Sequence, residues 1–182
     1  RHFDGAQILL VQLETPEENV LRAMEVAKAL GMYVILDPAP VARLTESLLH
    51  AADCIVPNEV ETEQVVGFSV RDEETARRAM QVLKQYDIER AIFKRGSESL
   101  FVCEGERITE VQPIRVAAVD TIGAGDCFAG AFATALVGEL SFVEAARFAN
   151  TVAALKVTKR GVQEGMPTRE EVEQFQERRE SL

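Results

Sequence analysis

The sequence has few cysteines and histidines and no long apolar run. Its 182 residues include two histidines and three cysteines, Cys54, Cys103 and Cys127. Because the cysteines are odd in number, far apart and in no Cys-x-x-Cys pair, the sequence supports neither a disulfide framework nor a structural zinc site, and it favours reduced thiols in the cytoplasm. Without a bilayer-length apolar run or a basic-then-apolar amino terminus, neither a membrane segment nor a secretory signal is expected.

Basic residues are outnumbered by acidic ones. The chain has 20 lysines and arginines against 30 aspartates and glutamates, a formal net charge of -10. Binding to a nucleic-acid backbone depends on clustered cations, so no nucleic-acid partner is expected. The sequence also lacks a P-loop with its Gly-Lys-Ser/Thr ending, and it shows no repeat or linker. With 47% hydrophobic residues, the chain has enough material for one compact domain over residues 1–182.

Short apolar runs alternate with amphipathic helices along the chain. The runs predict buried strands at 8–11, 34–36, 54–56 and 91–93, and a hairpin at 100–103 and 107–109. Helices are predicted after residue 15 and over about 72–86, 141–157 and 169–180. The first of these has Thr15 as the expected cap, Pro16 in the first turn and Glu18 as capping-box partner. This alternation predicts an α/β fold with an open, mostly parallel sheet flanked by helices.

Polar side chains follow four of the predicted strands. Glu14 comes after the first strand, Asp37 after the second, Asn58 after the third and Lys94 after the fourth. Ligands of open parallel sheets bind beyond the carboxyl ends of the strands, so these residues are predicted to share one edge and one site. Unrelated surface loops would give the same distribution.

A glycine-rich stretch lies where a helical apolar pattern begins. Gly123, Ala124 and Gly125 precede an apolar face that starts at Phe128, so their backbone N–H groups are predicted to lie at a helix amino terminus. Such a terminus binds anionic oxygen, and Asp126 beside it is placed to deprotonate a hydroxyl while the amides stabilise a phosphoryl group. The alternative is that the glycines only separate two elements.

The same stretch, residues 120–128, has the sequence Asp-Thr-Ile-Gly-Ala-Gly-Asp-Cys-Phe. It resembles the second signature of the ribokinase / phosphofructokinase-B family of sugar kinases, Asp-Thr-x-Gly-Ala-Gly-Asp-x-Phe, at every defined position. Further matches in family order occur at 12–14, 37–40, 57–61, 96, 150 and 158–161. The resemblance implies a three-layer ribokinase-like fold of which this chain is the carboxyl-terminal portion, without the amino-terminal part, its Gly-Gly sugar-binding motif and the lid.

The resemblance also implies an activity and the residues that perform it. The expected reaction is transfer of the terminal phosphate of ATP to the primary hydroxyl of D-ribose, or of another sugar or nucleoside. Asp126 is implied as the base, with Gly123, Ala124 and Gly125 as the anion hole. The remaining ligands implied are Glu14 for the sugar, Glu61 for Mg²⁺, and Asn58, Lys94, Arg95, Gly96, Ser97, Glu98, Ser99, Gly125 and Asn150 for ATP.

Several of these residues have simpler interpretations. In these interpretations Asn58 is a helix cap and Glu61 a solvated first-turn acid. Glu14 is a plain loop carboxylate, and Asn150 is a polar residue on a long helix. Within the ATP segment, Lys94 stands where the family has threonine, and Ser99 where it has a second glycine.

A potassium site is also implied, at the carboxylate of Asp120 with backbone carbonyls of other residues. Asp120 has a simpler interpretation as a turn-initiating acid. As a truncated module the chain would expose a sheet edge, which predicts a homodimer or other self-association. The carbonyls implied for the ion belong to Ile122, Lys156, Lys159, Gly161 and Gly165.

Overall fold

The computed structural model describes residue 3 and residues 5–180, with side chains to residue 179. The chain divides into two compact units, Arg1–Gln112 and Pro113–Leu182. The first unit contains the predicted sheet, and the second contains the predicted glycine-rich helix start. Among the described residues, no helix has the length and apolar character that crossing a bilayer requires.

The first unit is a six-stranded sheet with helices between its parallel strands. The strands are β1 (Ile8–Val11), β2 (Tyr33–Leu36), β3 (Cys54–Ile55), β4 (Arg90–Phe93), β5 (Leu100–Glu104) and β6 (Arg107–Val111). The helices are α1 (Glu17–Ala29), α2 (Glu46–His50), α3 (Glu59–Val66) and α4 (Glu73–Leu83), with 3-10 turns at Val41–Arg43 and Lys84–Tyr86. The spatial order follows the sequence order, with β1 to β4 parallel and β5 and β6 antiparallel. The predicted open, mostly parallel sheet with an added hairpin is therefore confirmed.

The core of this unit forms where helices pack on the sheet. Val34 and Leu36 point to the same face of β2, as alternation along a strand requires, and both are fully buried with Met24 of α1 and Leu83 of α4. Each such side chain contributes about 1.5–3 kcal/mol to stability by leaving water. The core holds the helices on this face and the strand ends of the first unit in place.

The expected cap of the first helix is wrong. The helix α1 begins at Glu17 with Pro16 as its N-cap, and no side chain makes a capping hydrogen bond. Pro16 is extended, with φ −53° and ψ 136°, so it stays outside the helix and its carbonyl accepts the N–H groups of Asn19 and Val20. Thr15 thus lies one residue too early to cap the helix. The helix predicted over about 141–157, by contrast, does begin with a capping box, formed by Ser141 and Glu144.

The second unit consists of three helices. They are α5 (Ala124–Val137), α6 (Phe142–Lys156) and α7 (Arg169–Glu180). Helices α5 and α6 pack together through Phe132 and Phe142, whose rings meet edge to face with centroids 5.0 Å apart. A smaller apolar cluster joins α7 to them through Cys127, Leu155 and Val172. This packing fixes the start of α5 and the end of α6, where the predicted site residues of this unit lie.

Candidate active site

The strand ends of the first unit bring two opposite charges together. The ammonium of Lys94 lies 3.6 Å from the carboxylate of Asp37, and these side chains are 14% and 4% exposed. The backbone N–H of Lys94 donates to the carbonyl of Pro57 at 2.9 Å, which ties the end of β4 to that of β3. Glu14 is exposed beyond β1. Lys94, which stands where the family has threonine, is therefore a nearly buried cation at the carboxyl ends of the parallel strands.

Asn58 and Glu61 form a closed capping box at the start of α3. The Glu61 carboxylate accepts the backbone N–H and the side-chain amide of Asn58, each at 2.7 Å, and the Asn58 oxygen accepts the N–H of Glu61 at 2.9 Å. Glu61 is only 7% exposed, so it is not a solvated acid. The pKa of its carboxyl is raised, first because burial disfavours the charged form and also because the negative charge of Asp37 is near. The hydrogen bond from the Asn58 N–H and the positive charge of Lys94 oppose this rise.

The segment 94–99 is a tight loop held by its own side chains. Gly96 has φ +55°, and a Cβ there would lie 3.3 Å from the Glu59 carboxylate. Arg95 pairs with Glu98, donates to the hydroxyl of Ser99 at 2.9 Å and lies over the Phe101 ring at 5.2 Å. Beside the loop is a cavity of about 320 Å³ whose lining includes Lys94 and Arg95. The loop is thus closed by contacts among its own side chains, and its two cations lie beside an open volume.

The glycine-rich stretch of the second unit starts a helix as predicted. Gly123 is the N-cap of α5 with φ 76°, and α5 begins at Ala124. A Cβ at Gly123 would lie 3.1 Å from the side chain of Val162 and 3.9 Å from the Asp126 carboxylate. Gly125 and Asp126 are exposed in the first turn. The N–H of Ala124 donates to the carbonyl of Thr121 at 3.2 Å, and the N–H of Cys127 donates to the carbonyl of Gly123 at 3.0 Å. We call Gly123, Ala124 and Gly125 the glycine cradle; it presents amides and a carboxylate side by side.

Asp120 connects the segment before α5 to the loop that follows α6. Its two carboxylate oxygens accept the N–H groups of Ile122 and Gly161, each at 3.0 Å. These hydrogen bonds, the Ile122 one first, hold the pKa of the carboxyl below its usual range. Lys156 is fully buried, and its ammonium donates to the backbone carbonyl of Asp120 at 3.1 Å. Three implied potassium ligands, Asp120, Ile122 and Gly161, are thus adjacent in the structure.

The other implied ligands of this unit are Lys156, Lys159, Gly165 and Asn150. The carbonyl of Lys156 accepts the N–H of Lys159 at 2.9 Å, and the Lys159 side chain pairs with Glu171. Gly165 lies so close to Gly161 that a Cβ there would be 2.3 Å from the Gly161 carbonyl oxygen. Asn150 lies half-buried on α6. The structure thus gathers part of the predicted set into two groups, one in each unit.

Comparison with known proteins places the chain in a family. Residues 1–169 match the pfkB family carbohydrate kinases. The chain belongs to the pfkB family of carbohydrate kinases. It is 43% identical to a ribokinase of Haemophilus influenzae over 169 residues, which are 93% of this chain and 55% of that protein.

Two solved structures also match this chain. An Arabidopsis thaliana ribokinase complexed with ribose and ATP is 32% identical, with a TM-score of 0.84 over 92% of this chain and 55% of that one. An E. coli protein solved in complex with ATP and Mg²⁺ is 26% identical, with a TM-score of 0.80 over 97% of this chain and 60% of that one. The chain therefore spans little more than half the length of these relatives.

Proposed function

We propose that this chain is the nucleotide-binding and catalytic portion of a ribokinase-like kinase, which transfers the terminal phosphate of ATP to the primary hydroxyl of D-ribose. The observation that carries the proposal is the start of α5, where exposed Asp126 lies in the first turn beside left-handed Gly123. A first-turn aspartate alone is common. Here it accompanies the complete family signature, and the family match covers residues 1–169.

In this proposal the start of α5 performs the transfer. Asp126 accepts the proton of the sugar's primary hydroxyl while the oxygen attacks the terminal phosphorus in line. The first-turn amides of the glycine cradle stabilise charge on the transferred group, and the positive end of the helix dipole adds to this effect. Because phosphoryl transfer has a loose transition state, a carboxylate is a sufficient base.

The first unit supplies the proposed nucleotide contacts. Lys94 and Arg95 are cations beside the cavity at the 94–99 loop, and this supports their proposed role with ATP. Among residues 3 and 5–180, no group of three or more His, Cys, Asp or Glu side chains could hold a metal. Mg²⁺ commonly takes one or two carboxylates plus substrate phosphates, so we propose Glu61 as a single protein contact to a nucleotide-bound ion. Because both of its carboxylate oxygens already accept hydrogen bonds from Asn58, that contact would run through water. The ion would neutralise phosphate charge.

The identity of the acceptor is the finer part of the proposal. The Haemophilus relative is a ribokinase, and the Arabidopsis structure contains ribose, which favours ribose over another sugar or nucleoside. Glu14 is the one acceptor ligand proposed from the first unit, and its exposure beyond β1 is consistent with this role. The three cysteines are free and buried, which supports a reducing, cytoplasmic setting.

A second candidate function is a noncatalytic, self-associating nucleotide-binding module. It is favoured by β1, the first strand in the sheet order. The carbonyls of Gln7 and Val11 accept N–H groups of the β2 side, so Ile8 and Leu10 direct their backbone groups the other way. No described strand pairs with that side of β1, and such an edge invites pairing with a second copy.

Substitution of Asp126 tests the kinase proposal. We expect Asp126→Asn to reduce ribose-dependent ADP formation about 10²- to 10⁴-fold, in this chain or a longer protein containing it, while MgATP affinity changes little. Glu73→Gln is the matched control because Glu73 is also an exposed first-turn acid, on α4, and should leave the rate unchanged. Equal rates for Asp126→Asn and the parent would refute the role of Asp126. MgATP binding without ribose-dependent turnover by the parent would favour the noncatalytic module.

A further inference from the structure

Lys156 is a lysine with no exposed surface. It is the last residue of α6 and is 0% exposed, among the largest fully buried side chains of the chain. Lysine is almost never fully buried unless its charge is compensated, because desolvation of an ammonium is costly. The observed partner is the backbone carbonyl of Asp120, at 3.1 Å. A carbonyl oxygen is the kind of ligand that also holds a monovalent metal cation.

The ammonium acts on the segment that leads into the glycine cradle. Asp120 lies three residues before Gly123, and its carboxylate fixes both Ile122 and Gly161. Lys156 therefore ties the end of α6 to a residue that already links two loops of this unit. Its charge also lowers the pKa of the Asp120 carboxyl and opposes the burial that raises the pKa of the Cys127 thiol in the first turns of α5.

Two of the implied potassium ligands, Lys156 and Asp120, already accept backbone hydrogen bonds through the oxygens that the resemblance assigns to the ion. The carbonyl of Lys156, one of those ligands, accepts the N–H of Lys159, and both carboxylate oxygens of Asp120 accept backbone N–H groups. The buried ammonium adds a full positive charge to the same segment. A potassium ion and an ammonium carry the same charge and both bind carbonyl oxygen, so a second cation here would be repelled at short range.

We infer that Lys156 is a built-in monovalent cation for the segment 120–125, so that this chain needs no potassium ion there. Lys156 is a positioning residue in this view: it holds the backbone of Asp120, and through it the entrance of α5. The inference rests on the proposed function only for its effect on phosphoryl transfer. Its effect on the fold of the second unit stands independently.

Ion-dependent thermal stability tests the inference without ribose or ATP. The melting temperature of the parent chain is measured in potassium, sodium and choline chloride at equal ionic strength, which holds general screening constant. We expect the parent to melt at the same temperature in all three salts. Lys156→Ala should melt lower and regain at least about 3 °C in potassium relative to choline, because an ion that binds only the folded state stabilises it.

Two further variants keep the test decisive. Lys156→Met retains the apolar stem and removes the charge, so it replaces Lys156→Ala if the alanine variant does not fold, and it should show the same potassium response. Lys159→Ala is the control: it removes the nearby pair with Glu171 but leaves the Lys156 ammonium in place, and should show no potassium response. A potassium-specific rise in the parent, or no potassium response in either Lys156 variant, overturns the inference.

Turnover separates this inference from the proposed function. If the parent forms ADP with ribose equally well in potassium and choline, the kinase proposal and the inference about Lys156 both hold. If the parent shows no turnover in any salt while the Lys156 variants gain potassium-dependent stability, the kinase proposal fails and the inference holds. If turnover is present and at least about tenfold faster in potassium, the inference fails and the kinase proposal holds.

Discussion

Substitution of two glycines at α5 by alanine should change the free energy of unfolding in opposite directions. Gly123 is the N-cap with φ 76°, and a Cβ there would lie 3.1 Å from the Val162 side chain. Gly130 lies inside the same helix, and a Cβ there would meet no atom within 4 Å. The same chemical change therefore strains the backbone at one end of the helix and fills open space in its interior. Gly130→Ala is the matched control for Gly123→Ala.

The magnitudes follow from backbone energetics. Holding alanine in the left-handed region costs about 1–2 kcal/mol, and the loss of unfolded-chain freedom returns about 0.4–1 kcal/mol. Gly123→Ala should thus lose about 1 kcal/mol of unfolding free energy, and more if Val162 cannot move. Gly130→Ala should gain about 0.8–1 kcal/mol from helix propensity. The two variants should differ by about 2 kcal/mol, with each melting temperature shifted by about 2–4 °C in opposite directions.

Urea unfolding and MgATP-dependent turnover measure the two effects separately. Gly123→Ala should also lower the turnover rate, because Gly123 sets the direction of the amides in the glycine cradle. Gly130→Ala should leave turnover unchanged. The reasoning is wrong if Gly123→Ala is as stable as the parent chain, or if Gly130→Ala is less stable than Gly123→Ala.

Three other expectations concern thiols, acid stability and the sheet edge. Burial raises the pKa of all three cysteines, that of Cys103 to about 12, so alkylation of the native chain at pH 8 should be on the order of a hundredfold slower than in urea; rapid native labelling would contradict this. Hydrogen bonds from Ser141 lower the pKa of Glu144, so its contribution is present above its ordinary value of 4.5 and is lost as the pH falls through the folded value. Between pH 5 and pH 3 the urea midpoint should accordingly fall less for Glu144→Gln than for the parent. If the midpoint falls equally with pH in both proteins, Glu144 does not make this contribution. If β1 pairs with a second copy, sedimentation should show self-association of the parent and a monomer for Ile8→Lys, whereas a monomeric parent would exclude that pairing.

The sheet was predictable because its strands are short and apolar throughout. Parallel strands covered on both faces appear as continuous apolar runs, and all four predicted runs overlap β1 to β4. The hairpin predicted at 100–103 and 107–109 is confirmed by the antiparallel pairing of β5 and β6, with Gly105 in the turn between them. Helix α2 was missed because its five residues, Glu46–His50, are too few for a helical period to be recognised. Helix α3 is likewise absent from the helices predicted by period, and only the interpretation of Asn58 as a helix cap indicates its start.

Within the first unit, the pairing of Asp37 with Lys94 was not predictable in detail. Each residue was expected at the end of a strand, on the same edge of the sheet. That two of them would approach to 3.6 Å with little exposure depends on β3 being short and lying between β2 and β4. The sequence shows the residue types, while the distance and the burial come from tertiary packing. The departure of Lys94 from the family's threonine was the one available signal of an altered contact.

At Lys156 the resemblance and the structure draw attention to different atoms of one residue. In the family pattern only its backbone carbonyl matters, so the identity of the side chain carries no weight in the comparison. A lysine in the last turn of a helix also fits the ordinary preference for cations at a helix carboxyl end, which places the ammonium in solvent. The structure instead buries it completely against Asp120. Because full burial of a lysine is costly without compensation, that placement, and not the family pattern, gives the physical reason to test whether this chain needs potassium.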